Sequence, residues 1–144
     1  MRKPLEILLV EDNEGDIEMT QRVFRDGKSA CNISVANDGS EALDCLFKRG
    51  NFVNAPTPQL ILLDINMPGM DGKRFLELMK KEQELKSIPV IMLTSSQSPK
   101  DIQECYERHA SCYVVKPFNG QEYADALRRI VDFWSGLGRL PHSS

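Results

Sequence analysis

The chain has few of the residues that build zinc and disulfide sites. It contains two histidines and four cysteines, and no two cysteines have the CxxC spacing. Structural zinc sites usually need such pairs, or a cluster of cysteine and histidine. We therefore expect no zinc site and four reduced thiols, which is the usual state of cysteine in the cytoplasm.

Long hydrophobic runs and an excess of positive charge are also absent. No apolar run in the sequence approaches the ~20 residues that cross a bilayer, and the first residues lack a secretory signal pattern. The formal net charge is −3, so nucleic acid and anionic membranes would not be attracted. We expect a cytoplasmic protein with neither of them as a partner.

The composition that remains is that of an ordinary globular domain. The chain has 144 residues, of which 41% are hydrophobic and 27% are charged. This length suits a single hydrophobic core, and no internal repeat or linker divides it. We expect one domain over residues 1–134 and a tail over residues 135–144 that contains glycine and proline.

A short apolar run near the middle of the chain ends in a carboxylate. The run Leu60–Leu63 is followed directly by Asp64, and a Met67-Pro68-Gly69 turn comes next. An unbroken apolar run bounded by turn residues fits a strand that is buried on both faces of a parallel sheet. Asp64 is then expected at the carboxyl end of a central strand, where open α/β sheets bind their ligands.

Apolar strand segments alternate with segments of helical spacing along the whole chain. We predict strands over 5–10, 33–36, 60–63, 88–93 and 112–115, and helices over 16–24, 41–48, 72–85, 99–109 and 120–134. The alternation predicts a parallel sheet with helices on both faces. The polar segment 49–58 is expected to be an exposed loop.

Polar residues that suit one kind of chemistry follow four of these strands. Glu11 and Asp12 follow the first strand, Asp64 the third, Thr94 ends the fourth, and Lys116 follows the fifth. In a parallel sheet these ends lie at one edge. Clustered acids repel one another unless a cation binds, and oxygen ligands suit Mg²⁺ or Mn²⁺. Asp64 could then attack phosphorus while the hydroxyl and the ammonium hold phosphoryl oxygens.

Four motifs resemble those of the receiver domain of two-component response regulators. In order, they are Val10-Glu11-Asp12, the stretch from Asp64 to Gly72, Leu93-Thr94-Ser95 and Lys116-Pro117-Phe118. The resemblance runs from Ile7 to about Trp134. It implies a flavodoxin-like (βα)5 fold whose five-stranded parallel sheet has the order 2-1-3-4-5. It also implies a single-domain signalling protein, not an enzyme, that accepts a phosphoryl group from a histidine kinase and acts through protein–protein contacts.

The same resemblance implies roles for the acidic residues. Asp64 would be the phosphoacceptor. Mg²⁺ would be bound by the side chains of Asp12 and Asp64, by the backbone carbonyl of Asn66, and by Glu11 through water. The side chain of Asn66 would also lie near the attacking water and tune the lifetime of the phosphoryl group.

Further roles are implied for the residues at the ends of the fourth and fifth strands. Lys116 would pair with the phosphoryl group and Thr94 would donate a hydrogen bond to it. Tyr113 would be an aromatic switch that moves inward with Thr94, and Ser96 would lie near the attacking water. The Lys116–Pro117 bond would be a cis peptide, since cis is cheap only before proline.

Large apolar residues continue beyond the point where the core should be complete. They are Phe133, Trp134, Leu137 and Leu140. Such residues usually mark an interface when they are exposed, and the alternative is that the two aromatic rings pack under the sheet. With the Asp38-Gly39 turn and the long loop before the third strand, they resemble the stand-alone regulators of bacterial phytochromes. That resemblance implies a homodimer and a bacteriophytochrome-type histidine kinase as partner.

Three alternatives remain open from the sequence. A flavin or nucleotide carrier needs a glycine- or hydroxyl-rich phosphate loop where this chain has the acidic run Glu11–Glu14. A Mg²⁺-dependent phosphatase needs a second acid two residues after Asp64, where Asn66 stands. A pseudo-receiver would keep the fold and bind partners without being phosphorylated.

Overall fold

A computed structural model describes residues 4–27, 30–138 and 140 of the chain. Within them, five strands alternate with five helices. The strands are β1 (Leu5–Val10), β2 (Cys31–Ala36), β3 (Leu60–Leu63), β4 (Val90–Thr94) and β5 (Cys112–Val115). The helices are α1 (Glu14–Asp26), α2 (Gly39–Leu46), α3 (Gly72–Met79), α4 (Pro99–Glu107) and α5 (Gly120–Asp132). A 3₁₀ turn at Gly50–Phe52 lies in the loop before β3, and a π-helical turn at Phe133–Leu137 follows α5.

The strands form one parallel sheet in the order β2-β1-β3-β4-β5. This confirms the predicted flavodoxin-like architecture. Val10 lies opposite Ala36 on one side and Leu63 on the other, so β1, β2 and β3 end at the same level. The residues that follow these strands therefore meet at one edge of the sheet.

Successive residues of the central strands point into two different hydrophobic cores. In β3, Ile61 and Leu63 belong to the core beneath α2, α3 and α4, while Leu60 and Leu62 belong to the core beneath α1 and α5. Phe75 of α3 is fully buried in the first core, and Leu127 of α5 in the second. Both faces of β3 are therefore covered, which explains its unbroken apolar sequence.

Each helix begins at a side-chain cap, as short polar residues before a helix predict. In every case the side-chain oxygen accepts a hydrogen bond from an N–H group in the first turn. The capping residues are Asn13, Asp38, Asp71, Ser98 and Asn119. These caps fix where each helix starts relative to the strand before it.

Helix α3 is shorter than its apolar spacing predicted. The helix ends at Met79, whereas the sequence pattern extended it to about Leu85. After Lys80 the chain continues in tight turns, in one of which the N–H of Leu85 donates to Glu82 at 3.1 Å. Leu85 is nevertheless buried in the core. Because the tight turns bury Leu85 just as a helix would, the apolar spacing could not distinguish the two structures.

Other predicted boundaries also differ by a few residues. α2 and α4 stop short of Lys48 and His109, whose φ angles of 57° and 70° lie in the left-handed region that ends a helix. α5 changes to the π-helical turn before Trp134. β2 starts earlier, at Cys31, and β4 starts after Pro89.

Candidate functional site

Three of the expected site residues are held by backbone hydrogen bonds that extend the sheet. The N–H of Glu11 donates to the last residue of β2 at 2.9 Å, and the N–H of Asp64 donates to the last residue of β1 at 3.1 Å. The N–H of Lys116 donates to the last residue of β4 at 2.8 Å. The backbone of each residue is thereby fixed at the carboxyl edge of the sheet.

A glycine allows α3 to begin directly against the loop that carries the phosphoacceptor candidate. A Cβ at Gly72 would lie 2.1 Å from the carbonyl oxygen of Asp64, a distance at which no side chain fits. The N–H of Gly72 donates to the carbonyl of Ile65 at 2.9 Å. Gly69, whose φ is 69°, makes the turn before it. The segment after Asp64 is thus anchored to the start of α3.

Three carboxylates meet at this edge. Glu11, Asp12 and Asp64 each offer one oxygen, and these oxygens all lie within 4.8 Å of one another. Glu11 and Asp64 are buried and Asp12 is exposed, so the cluster opens to solvent on one side. Carboxylate oxygens with room for water fit Mg²⁺ or Mn²⁺. Asn66, also expected here, lies two residues past Asp64 and its side chain is exposed.

Lys116 places its ammonium among the acids. The ammonium donates a hydrogen bond to Glu11 and another to Asp16 Oδ2 at 2.8 Å, and it lies 3.5 Å from Asp64 Oδ2. Burial disfavours the charged amine, but the hydrogen bonds to Asp16 and Glu11 outweigh it and raise the pKa of Lys116. The lysine therefore stays protonated and provides a fixed positive charge beside Asp64.

Glu11 titrates unusually high for a carboxylic acid. Its pKa is raised to about 7, mainly because burial disfavours the charged carboxylate. The hydrogen bond and charge of Lys116 oppose this rise, and the neighbouring charge of Asp64 adds to it. Its Oε2 atom also accepts hydrogen bonds from the N–H groups of Asp12 and Asn13, at 3.1 and 3.2 Å. This carboxyl group is therefore held in one position by backbone and lysine together.

The two residues expected to act as a switch are connected through Ser96. Thr94 is buried at the end of β4, and its hydroxyl oxygen accepts a hydrogen bond from the N–H of Ser96 at 3.4 Å. The Tyr113 hydroxyl donates to the carbonyl of Ser96 at 2.8 Å. The Ser96 hydroxyl donates to Asp101 of α4 at 2.5 Å. The strand ends β4 and β5 are thus tied to α4 by one loop residue.

An ion-pair cluster between α3 and α4 was not foreseen from the sequence. Lys73 of α3 donates to Asp101 at 2.5 Å and to Glu104 at 2.6 Å. We call these three residues the α3–α4 clamp. Hydrogen bonds from Lys73, and from Ser96 as well, lower the pKa of Asp101, and the hydrogen bond from Lys73 lowers the pKa of Glu104. The clamp joins α4 to the rest of the domain.

Sequence reasoning also missed Asp16. It stands in the first turn of α1, where an acid is expected simply because it complements the helix dipole. Its partner Lys116 is 100 residues away in sequence. No local pattern in the sequence indicates that the two side chains meet.

The peptide bond between Lys116 and Pro117 corrects one expectation. The described residues contain no cis peptide bond, so the predicted cis bond is wrong for this structure. A trans bond is the more stable isomer even before proline, by roughly 0.5–1 kcal/mol.

The apolar residues at the C-terminal end divide into exposed and buried ones. Phe133 is 48% exposed, whereas Trp134 packs partly against the second core, with its ring edge-on to Phe133 at 5.1 Å. Leu140 is only 8% exposed and belongs to that core, so expecting it at the surface was wrong. The chain beyond the π-helical turn returns to the α1–α5 face. The side chain of Leu137 lies outside the described residues.

One aromatic ring close in sequence to the site lies at the surface. Phe118, two residues after Lys116, is fully exposed.

Among the described residues, no helix is long and apolar enough to span a membrane.

Comparison with known proteins identifies a family for this arrangement. Residues 7–128 match the family model of the response regulator receiver domain. The chain is 36% identical to the response regulator Rcp1 of Synechocystis over 138 residues, which cover 96% of this chain and 94% of Rcp1. The crystal structure of the Mn²⁺-bound form of Rcp1 superposes with a TM-score of 0.91 over 96% of this chain and 99% of that one.

Two further solved structures are similar over nearly their whole length. The phosphorylated cyanobacterial phytochrome response regulator RcpA superposes with a TM-score of 0.93 at 35% identity, over 96% of this chain and 99% of RcpA. The bacteriophytochrome response regulator AtBRR superposes with a TM-score of 0.72 at 38% identity, over 95% of this chain and 99% of AtBRR.

Proposed function

The chain belongs to the response regulator receiver domain family, and on that premise we propose that Asp64 accepts a phosphoryl group from a sensor histidine kinase. The observation that carries the proposal is the grouping at the sheet edge. Asp64 is buried beside Glu11 and Asp12, and its Oδ2 atom lies 3.5 Å from the ammonium of Lys116. A buried carboxylate with a fixed cation beside it is arranged for attack on phosphorus.

Apart from the divalent cation, this chain and the kinase supply every group that the transfer needs. A carboxylate oxygen of Asp64 attacks the phosphorus of a phosphohistidine, and the P–N bond breaks. The imidazole leaves with the electron pair and takes up a proton, while Asp64 becomes an acyl phosphate. Lys116 and the hydroxyl of Thr94 donate hydrogen bonds to the oxygens of the transferred group.

The cation site is proposed from the oxygen donors at the edge. Asp12 and Asp64 would hold Mg²⁺ or Mn²⁺ through their side chains, Asn66 through its backbone carbonyl and Glu11 through water. When bound, the ion neutralises the acids and the oxygens of the incoming phosphoryl group. The relative Rcp1 has been crystallised in a Mn²⁺-bound form, which supports this assignment.

Beryllofluoride, a mimic of the aspartyl phosphate, tests the site. The protein is titrated with beryllofluoride in the presence of Mg²⁺ and followed by fluorine NMR. We expect a bound signal that disappears in Asp64→Asn and when Mg²⁺ is removed with a chelator. A protein that binds Mg²⁺ yet gives no bound signal would instead be a pseudo-receiver.

We propose that the partner kinase is of the phytochrome type. The support is the similarity to two regulators that are named for phytochrome or bacteriophytochrome. The fully exposed ring of Phe118 next to the site offers an apolar contact for such a partner. The test is phosphotransfer from a bacteriophytochrome histidine kinase, compared with an unrelated histidine kinase. Equal transfer rates from both would contradict the pairing.

The output is proposed to be a change in protein–protein association, with a homodimer as one product. Thr94 would be drawn to the phosphoryl group, and the linked loop at Ser96 would carry this movement to Tyr113. Phe133 is the exposed apolar residue that fits a dimer contact at the C-terminal end. We further propose that the receiver domain covers residues 1–134, that residues 135–144 serve the dimer, and that the protein acts in the cytoplasm.

A further inference from the structure

Among the described residues, Lys116 has three acidic partners, and they are of two kinds. Glu11 and Asp64 belong to the cluster whose oxygens lie within 4.8 Å of one another. Asp16 is not a member of that cluster, yet it accepts a hydrogen bond from the ammonium at 2.8 Å. Of these three acids, Asp16 is thus the partner of Lys116 that a cation bound by the cluster would leave untouched.

An ammonium and a divalent cation compete for the same oxygens. Lys116 donates to Glu11 and lies 3.5 Å from Asp64. A metal ion drawn to these acids must therefore weaken the bonds that the lysine makes with them. How much this costs depends on what else can hold the ammonium, whose side chain is only 9% exposed and has little access to water.

We propose that Asp16 is a positioning residue that holds the ammonium of Lys116 on the α1 side of the site, so that a divalent cation can bind without leaving a buried, unpaired lysine. The proposal rests on the proposed function for the cation site itself. It adds that the affinity for the cation depends on a carboxylate that is not a ligand. It also implies that a residue of α1 orients the lysine toward Asp64.

The surroundings of Asp16 favour this role over that of a simple helix-dipole acid. Its backbone is already fixed, because its N–H donates to Asn13 Oδ1 at 2.9 Å and its carbonyl accepts from the Thr20 hydroxyl at 2.7 Å. The side chain is therefore not needed to start the helix. Glu14 is an acid of the same turn and is exposed, so it offers a matched control.

The experiment is a calorimetric titration of the metal-free protein with Mg²⁺. We expect Asp16→Asn to raise the Kd for Mg²⁺ roughly fivefold, which corresponds to about 1 kcal/mol. Glu14→Gln removes the same charge from the same turn and should change the Kd less than about twofold, because exposed charges act weakly. Asp16→Glu, which restores the carboxylate, should return the Kd toward that of the wild type.

A second background separates the contact from the charge of Asp16. In Lys116→Met, there is no ammonium to hold, so adding Asp16→Asn should change the Kd no more than Glu14→Gln does. An equal loss of affinity in both backgrounds would overturn the proposal, as would equal effects of Asp16→Asn and Glu14→Gln. If Lys116→Met fails to fold, the comparison of Asp16→Asn, Asp16→Glu and Glu14→Gln still decides.

Failure of this inference can be told from failure of the proposed function. A wild-type protein that does not bind Mg²⁺ at all contradicts the cation site and, with it, this inference. A wild-type protein that binds Mg²⁺, with Asp16→Asn indistinguishable from Glu14→Gln, contradicts only the role of Asp16. The beryllofluoride signal of the wild type tests Asp64 and the cation site together, and it is expected whether or not Asp16 has this role.

Discussion

At the scale of single residues, the site holds more negative than positive charge. Asp64, Glu11 and Asp16 surround the single ammonium of Lys116. Asp64→Asn removes one of these charges and leaves the lysine its two hydrogen-bonded partners. We therefore expect the free energy of unfolding of the metal-free protein to stay within about 0.5 kcal/mol of the wild type or to rise. Urea denaturation with a chelator measures this.

The control for this prediction is Asp12→Asn. Asp12 is the exposed acid of the cluster, so solvent screens its charge and the change in stability should be smaller. A clear loss of stability in Asp64→Asn would contradict the account, because it would mean that the carboxylate of Asp64 stabilises the metal-free fold.

Removing Lys116 should have the opposite effect on stability. Lys116→Ala leaves two buried acids without their counter-ion, which typically costs about 3–5 kcal/mol. The loss should be smaller below the pKa of Glu11, about 7, because the protonated acid needs no counter-ion. Mg²⁺ binding should be kept or strengthened, whereas the response to phosphorylation should be lost. Denaturation at several pH values and Mg²⁺ titration measure these effects.

The sign of the pH dependence follows from the raised pKa. The folded protein binds a proton at Glu11 between the ordinary value of 4.5 and about 7, whereas the unfolded chain does not. This contribution to stability is complete below 4.5 and is lost as the pH rises through about 7. The assignment would be contradicted if Lys116→Ala lost more stability relative to the wild type at low pH than at high pH.

The residues of the site were predictable to different degrees. Glu11, Asp12, Asp64 and Lys116 each follow a recognisable strand, and parallel topology alone brings such ends together. Asp16 comes from a helix, and its contact with Lys116 depends on where the first turn of α1 lies relative to the loop that follows β5. Packing of that kind leaves no periodic signal in the sequence.

At the scale of elements, the α3–α4 clamp is expected to hold α4 in place. Lys73→Met removes the shared cation and should lower stability at neutral pH. The lowered pKa values of Asp101 and Glu104 mean that the clamp stabilises the fold above their ordinary values of 3.8 and 4.5. Its contribution is lost as the pH falls through the lowered values. The difference between variant and wild type should therefore shrink in acid.

Lys100→Met is the matched control for the clamp. Lys100 lies on α4 with the two acids of the clamp, but its side chain is 80% exposed and its ammonium lies 4.0 Å from Glu104. Thermal unfolding of both variants at neutral and acidic pH provides the comparison. The clamp is refuted if Lys73→Met differs from the wild type equally at both pH values, or no more than Lys100→Met does.

Helices were predicted better at their starts than at their ends. Helix starts have capping residues such as Ser98 and Asn119, whose side chains accept from the first turn. Helix ends depend on single backbone angles, as at Lys48 and His109. Lysine has no special preference for the left-handed region, and although histidine is enriched there, neither residue is the glycine that usually marks a helix end.

At the scale of the whole molecule, the exposed ring of Phe133 is expected to support self-association. Phe133→Glu places a charge in the proposed dimer contact and should shift the protein toward the monomer. Phe47→Glu is the control, because Phe47 is 40% exposed and lies at the end of α2. Light scattering, with and without beryllofluoride, measures the mass. If the wild type is a dimer and Phe133→Glu has the same mass, the proposed contact is contradicted.

Two features of the whole molecule could not be predicted from its residues alone. The alternation of strands and helices predicted a parallel sheet, but the order of its strands came only from the family resemblance. The burial of Leu140 was missed because it depends on the chain returning to the α1–α5 face after the π-helical turn. The apolar character of a residue does not indicate which part of the structure covers it.

Phosphorylation of Asp64 is the central claim, and the mass of the intact protein tests it most directly. The protein is incubated with acetyl phosphate, with and without Mg²⁺, beside Asp64→Asn and the control Asp44→Asn, which alters a half-buried acid of α2 that is paired with Arg49. We predict the mass of one added phosphoryl group in the wild type and in Asp44→Asn only with Mg²⁺, and none in Asp64→Asn. An unmodified wild type, or an adduct that persists in Asp64→Asn, would contradict the account.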